Sequence, residues 1–372
     1  MKTQLSSLEA HYLVKELKFL IGGRVDKIFQ VDKKEFYLLL HVPSIGKKIL
    51  RITDKLMYLT SNKPSTETPP GFCMYLRKQL GNGKLKEISQ KESERIIEFV
   101  FEVKEGLRKL VVELFGGGNL LILDENNVIL SATHYEKYKD RDVLAKNDYN
   151  YPKMKYNLFE LKILNLRELM LKSNKDNIVK CLAVDLGLGG IYSEEICLLA
   201  KVDKNQRPGN LKNSEVDEIY STINKITNKK INSQIIYKDK EAIDAAPFKL
   251  EFYKDNEAKE FETFNSALEH YFINELKLVK KKESPYESKI NELKRIVSEQ
   301  EDTIKKFNDK VAENTKKGEL IYSNYSLIKE IIEEINKAKE KHSWKDIKKK
   351  LKGHKVIKDV DIKDKRIVIE VG

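Results

Sequence analysis

The sequence predicts an α+β chain: an antiparallel β-sandwich or barrel-like domain first, then a helical domain, then an antiparallel coiled-coil arm. Three observations carry this. Short alternating runs crowd the residues up to about 132, helical spacing takes over from 158 to 279, and heptad spacing fills 288 to 341.

The first element is a helix over residues 6–21, where Ser6 and Glu9 form a capping box and Gly22-Gly23 ends the apolar-periodic run. RVDKIFQV, EFYLLLHV and KKILRIT then read as a strand meander. In PPGFCMYLRKQLGNGKL, residues 69–85, Pro70 suits the first helical position and Phe72, Leu76 and Leu80 share one face. Gly81 and Gly83 stop that helix, leaving Arg77, Lys78 and Lys84 pointing away from the apolar stripe. KLKEISQ, ERIIEFVFEV, RKLVVELF, NLLILD and NVILSA follow as strands, with Ile97, Phe99, Phe101 and Val103 on one face. Asp124-Glu-Asn-Asn127 supplies a hairpin turn, and Phe115-Gly-Gly-Gly-Asn119 a tight bend between strands.

Residues 134–157 lose periodicity and interleave five tyrosines with six basic and four acidic residues. Two readings stand: bases stack on the tyrosines, or the tyrosines pack on the preceding sheet. From 158 to 279 the chain reads as helices, including CLAVDLGLGGIYSEEICLLAK with a Gly-Leu-Gly-Gly turn at 187–190, interrupted by a strand pair in SQIIYKD and PFKLEFY. Ile290, Leu293, Val297, Gln300, Ile304, Phe307 and Val311 then alternate in steps of three and four, an a/d seam with one polar member. Lys316-Lys-Gly318 interrupts that helix weakly, and two helices, the second carrying Ile321, Ile328 and Ile335 and folding back along the first, are the preferred reading over one long rod. Residues 341–372 hold eleven basic and five acidic residues and end in RIVIEV, an apolar strand without an evident partner. The chain therefore reads as cut. The expected domains are 1–157, 158–284, 285–342 and a basic segment at 343–372.

Lys plus Arg number 70 against 58 acidic residues, a net charge of +12 that suits a polyanionic partner. No run approaches the ~18 apolar residues of a membrane span, and Glu9 and Lys15 interrupt any signal-peptide pattern, so a cytoplasmic protein is expected. Cys73, Cys181 and Cys197 form no CxxC pair and the six histidines are scattered, which predicts no metal site and no cofactor. No GxSxG, HExxH, P-loop or dinucleotide fingerprint appears, so no catalytic residue is assigned and a binding protein is expected. The LGLGG turn between helices can bring backbone N–H groups of Gly187, Gly189 and Gly190 close to a phosphate, or can serve a structural hairpin alone. Glu94 and Arg95 open the most regular strand, either as solvated edge protection or as a site.

SSLEAHYLVKEL with IGGRVDKIFQ, PPGFCMYLRKQLGNGKL, ELFGGGNLLILDENNVIL, LAVDLGLGGIYSEEI, FNSALEHYF and GELIYSNYSLIKEIIEEI with SWKDI together resemble the NFACT family of ribosome-associated quality-control factors, also called RqcH-like or fibronectin-binding-A-like, and closest to its archaeal and eukaryotic members. The resemblance covers nearly the whole chain. It implies an N-terminal domain folded like formamidopyrimidine DNA glycosylase, a helix-hairpin-helix domain, a coiled-coil arm, and a further RNA-binding domain that is absent here. It also implies binding to a large ribosomal subunit holding stalled peptidyl-tRNA, through rRNA contacts, and tRNA recruitment for C-terminal tailing without mRNA.

The tRNA- and RNA-binding candidates are Glu9, Arg24, Arg77, Lys78, Lys84, Glu94, Arg95 and Arg141, with Gly187, Gly189 and Gly190 as the phosphate-contacting hairpin. In relatives an Asp-Arg pair stands where this chain has Glu94-Arg95, and an aspartate often stands where it has Glu9. Two alternatives accompany the resemblance. A DNA glycosylase or lyase needs an N-terminal proline amine, whereas the chain begins Met1-Lys2-Thr3; a surface adhesin needs a signal or anchor that the sequence does not display.

Overall fold

Ser6 opens the first helix, α1 (Ser7–Leu17), through the expected capping box: Glu9 N donates to Ser6 Oγ and Ser6 N to the Glu9 carboxylate. The computed structural model describes residues 2–64, 68–138, 141–282, 285–351, 354, 356–361 and 366–370. It divides into two units, Met1–Leu278 and Val279–Gly372.

In the first unit, β1 (Arg24–Asp32), β2 (Glu35–Val42), β3 (Gly46–Ile52) and β4 (Met57–Thr60) precede α2 (Gly71–Leu80). Then come β5 (Lys84–Gln90), β6 (Ile96–Val103), β7 (Gly106–Glu113), β8 (Asn119–Leu123) and β9 (Ile129–Ala132). All nine form one antiparallel sheet in the order β4-β3-β2-β1-β5-β6-β7-β8-β9. An antiparallel sandwich or barrel-like domain was expected; in the structure two ladders are continuous through one registered pair, Arg24↔Lys84. Beyond that pair β1 has an open edge, which α2 covers. Cys73 and Arg77 of α2 both donate to Ile28 O, satisfying a carbonyl the sheet leaves free. Leu38 and Leu50 of one ladder, Phe99 and Leu110 of the other, and Leu8 and Leu13 of α1 fill a common core.

β6 is buried on both faces. Ile97, Phe99 and Phe101 enter the main core, as their alternation predicts, while Ile96 joins Val111, Leu121 and Leu123 on the other side. Val143 and Tyr149 cover that second face, beside the small hairpin β10 (Glu136–Lys137) and β11 (Asp142–Val143). Tyr149, Tyr151 and Tyr156 therefore pack, and Tyr135 and Tyr138 stay exposed.

Helices α3 (Ile163–Lys172), α4 (Ile178–Lys180), α5 (Gly190–Leu199) and α6 (Asn213–Thr227) come next, with a π-turn over Cys181–Asp185 extending α4. β12 (Ser233–Lys238) is the middle of three strands, flanked by β13 (Glu241–Ala246) and β14 (Glu257–Phe261). The expected partner PFKLEFY is not a strand. Phe248 and Leu250 plunge into the core, and Glu251–Tyr253 makes a 3-10 turn whose first N–H groups donate to the buried Glu195 carboxylate. α7 (Phe264–Lys282) starts under the Glu16 carboxylate of α1, which accepts from Phe264 N and Asn265 N at 2.7 and 2.9 Å. Asn265 also bonds both backbone groups of Leu59, so the helical part is tied to edge strand β4.

In the second unit, α8 (Pro285–Ser323) runs through Gly318, and the chain turns only at Asn324 before α9 (Tyr325–Lys341). The expected break at 316–318 is absent: one glycine costs only ~1 kcal/mol in a helix, and a Lys317–Glu313 pair one turn apart supports the segment. The seam expected to be covered by a returning helix is exposed, Ile304, Phe307 and Val311 by 58%, 61% and 62%. The buried residues of α9, Ile331 and Ile335, pack with Ile357 and Val360 of a hairpin made by β15 (Ile357–Asp361) and β16 (Arg366–Ile369), which follows α10 (Trp344–Lys350). Arg366–Ile369 of RIVIEV is thus paired with β15, and the expected unpaired edge is absent there.

Candidate functional site

The sequence candidates separate into three groups once folded. Glu9, Glu94, Arg95, Gly187, Gly189 and Gly190 converge on a cleft of about 940 Å³. Arg77 and Arg141 are turned inward, and Arg24, Lys78 and Lys84 lie elsewhere on the surface.

One wall of the cleft is the turn between β5 and β6. Glu94 and Arg95 do not open the strand, which begins at Ile96; they close a turn in which Glu94 N donates to Lys91 O and Glu92 takes a φ of +50°. The turn is tied down on several sides. Gln90 Nε2 donates to Ser7 O and Glu94 O, Ser7 Oγ donates to Ser93 O, and Leu158 N donates to Ser93 Oγ. Arg95 Nη1 donates to Gln4 Oε1 at 3.0 Å, and the Glu94 carboxylate is steadied by the Arg95 charge and the Arg95 backbone N–H. Burial raises the Glu94 pKa and lowers that of Arg95, each charge countering the effect on the other. A half-buried, opposite-charge pair with spare hydrogen-bonding capacity is what a cleft needs to recognise a polar ligand.

The facing wall is the glycine turn. Gly187 and Gly189 adopt φ of +73° and +77°, a region open chiefly to glycine. Leu188 N and Gly189 N close onto Leu182 O and Ala183 O of the preceding π-turn. Gly190 is the first residue of α5; no side chain caps this start, and a Cβ on Gly190 would meet nothing within 4 Å. The first N–H groups of α5 thus have no side-chain cap, at the positive end of the helix dipole.

The floor is a buried ionic cluster that sequence reasoning missed. Lys2 Nζ bonds Glu9 Oε1 at 2.6 Å and Asp244 Oδ1 at 2.9 Å. Tyr192 OH of α5 donates to Glu9, and Tyr253 OH donates to Asp244. Lys2 N also reaches Ile243 O, threading the N-terminal segment onto β13. Burial works against the Lys2 charge, but Glu9 and Asp244 outweigh it and raise its pKa above the ordinary lysine value. Burial, with the same two carboxylates, pushes the Tyr192 phenol far up. The only sequence signal was a lysine at position 2; its partners lie 7 and 242 residues away.

Four candidates need correction as direct contacts: the Gly189 N–H is spent on Ala183 O, and the other three are side chains. Glu9 is only 3% exposed and spends its carboxylate on Ser6 N, Lys2 and Tyr192. Arg77 spends its Nε on Ile28 O because β1 needs that donor. Arg141 is buried against Glu113 at 2.6 Å, sharing that carboxylate with Tyr149, because a charge under the 141–151 segment must be paired. No group of His, Cys, Asp and Glu among the described residues could hold a metal ion, and no described helix is long and apolar enough to cross a membrane.

A family model for the NFACT N-terminal and middle domains matches residues 7–365. The archaeal Rqc2 homolog aRqcH of Methanocaldococcus jannaschii is 34% identical across 95% of this chain, which spans 55% of that relative. The ribosome quality control complex subunit NEMF of Homo sapiens is 28% identical over 60% of this chain and 20% of its own length. Among solved structures, the fibrinogen binding protein from Staphylococcus aureus shares the fold, with a TM-score of 0.60 at 21% identity over 72% of this chain and 98% of that one. The chain belongs to the NFACT family.

Proposed function

We propose that this chain is a non-enzymatic RNA-binding factor of ribosome-associated quality control. Its partners are the rRNA of a large ribosomal subunit, stalled peptidyl-tRNA and a recruited tRNA, and it acts in the cytoplasm. The observation that carries the reading is the meeting of Glu94-Arg95 with the glycine turn across one cleft. Arg95 offers a planar fork to a phosphate or to the edge of an unpaired base, Glu94 accepts from a base amino group, and the first N–H groups of α5 take a phosphate. On this reading α4, its π-turn and α5 are the helix-hairpin-helix, α8 belongs to the coiled-coil arm, and mRNA-independent C-terminal tailing is the process served.

The names of the relatives, a ribosome quality control complex subunit in Homo sapiens and Rqc2 homologs in Methanocaldococcus jannaschii and Bacillus subtilis, support the same process. A glycosylase or lyase reading is disfavoured by the cleft floor. The lysine there is held charged between two carboxylates, whereas an amine nucleophile must be neutral.

The test is co-purification of tRNA and of large subunits with the tagged chain. Arg95→Ala is expected to abolish tRNA recovery and leave subunit recovery within a few-fold. Arg95→Lys recovers little, because an ammonium lacks the fork, and Glu94→Asp is tolerated. Wild-type tRNA recovery by Arg95→Ala would make the pair edge protection and end the reading.

A further inference from the structure

The sheet carries a second basic feature, away from the cleft. Register places Lys47 of β3 opposite His41 of β2, His41 opposite Arg24 of β1, and Arg24 opposite Lys84 of β5. Directly opposed residues of antiparallel strands share a face, so these four side chains stand in one row across the narrow joint between the two ladders. The neighbouring row on the opposite face, Leu40 and Val25, is buried, whereas Lys47, His41 and Arg24 are exposed and Lys84 is half-buried.

A row of like charges costs a sheet stability, and strands end-capped by opposite charges avoid it. Here the neutralising groups are few. Asp26, displaced by the bulge after Val25, takes Lys47 at 2.9 Å. Its hydrogen bond to Lys47, with His41 and the exposed Lys63 close by, holds its carboxyl below the usual range. Glu102, opposite Lys84 on the other side, is taken by Lys86. Arg24 is steadied by a bond from Nη1 to Asn82 O at the turn after α2.

We propose that the row Lys47–His41–Arg24–Lys84 is a second RNA-binding surface, which grips the phosphate backbone of a double-stranded segment. Three inter-strand steps of ~4.8 Å give the row a length of about 14 Å. A nucleic-acid strand presents a phosphate every ~3.4 Å of its axis, so several phosphates lie within reach of the long side chains. The row's one ring, His41, stands among three cationic side chains, which favours a phosphate backbone over unpaired bases. The inference rests on the proposed function only in taking RNA as the polyanion.

The experiment measures binding of a double-stranded RNA probe to the whole chain across a salt series. Wild type is compared with Lys47→Gln/Arg24→Gln/Lys84→Gln, with Lys47→Gln/Lys84→Gln, which spares the Arg24–Asn82 bond, and with Lys240→Gln, an exposed lysine in the turn between β12 and β13. The triple variant is expected to reduce the slope of log K against log salt by about two to three units and the double variant by about one to two, with Lys240→Gln close to wild type. A wild type with no salt-dependent affinity for RNA would overturn the RNA-binding reading itself. A wild type that binds, with both row variants keeping its slope, would overturn the row alone. Equal, row-dependent affinity for polyglutamate would overturn the assignment to RNA.

Discussion

Replacing Lys2 by Met tests whether the cleft floor is an electrostatic clamp. Lys2 is shared by two carboxylates, at 2.6 and 2.9 Å, with all three side chains almost fully buried. The methionine keeps most of the volume but leaves Glu9 and Asp244 facing each other without a cation. Removing one member of a buried ion cluster costs ~3–5 kcal/mol, because the remaining charges stay desolvated. At roughly 2–4 °C per kcal/mol, the melting temperature of the first unit falls by about 10 °C. The pH dependence adds a signature. A lysine with a raised folded pKa contributes its stability fully below its unfolded pKa and loses it only as pH rises through the folded value, so Lys2 gives wild type no slope near neutrality. Lys2→Met/Glu9→Gln/Asp244→Asn removes every charge and regains most of the loss. Thermal and urea unfolding followed by circular dichroism measure all of this. A single variant within about 1 kcal/mol of wild type would refute the clamp.

Two further perturbations probe the scaffold around the site. His11 stacks on Phe159 with ring centroids 4.0 Å apart, and burial, with Lys15 and Lys18 nearby, lowers its pKa to about 4. A depressed histidine contributes stability that is lost as pH falls from about 6.5 toward 4, here about 2 kcal/mol after allowing for solvent screening; His11→Phe keeps the stack and flattens that acid limb in a pH series of unfolding curves. Gly118 has a φ of +68° and its missing Cβ would lie 2.3 Å from Asp54 Cα, whereas Gly116, at +59°, has open space around it. Gly118→Ala is expected to cost about 3 kcal/mol or more and Gly116→Ala about 1, compared by urea midpoints.

The sheet was legible because its signal is local. Ile97, Phe99 and Phe101 alternate and are buried, and Asp124 bonds the N–H groups of Asn126 and Val128 as a hairpin turn requires. The glycine turn was legible for the same reason, since a left-handed backbone at Gly187 and Gly189 is written in the residue itself. The misreadings come from competition the sequence does not display. Glu251–Tyr253 has strand-like residues, yet its N–H groups are claimed by Glu195, 56 residues earlier in the case of Glu251. The α8 seam has the heptad spacing of a paired helix, yet the apolar face of α9 is taken by the hairpin at Ile357 and Val360.

Charge was the least readable property, and the reason bears on function. Arg77, Arg95 and Arg141 look alike in sequence, each in a basic neighbourhood. Arg141 pairs with a buried glutamate, and Arg77 completes the hydrogen bonding of a strand edge. Arg95 bonds only a glutamine side chain among the described residues, in a turn that Gln90, Ser7 and Ser93 hold in place. A guanidinium is available to a ligand only if the fold has not already spent it. The scaffold that immobilises Arg95 uses backbone groups and hydroxyls for the purpose and leaves the guanidinium fork largely free. That economy, more than the +12 excess of the whole chain, is the physical support for the proposal that recognition sits at the Glu94-Arg95 turn.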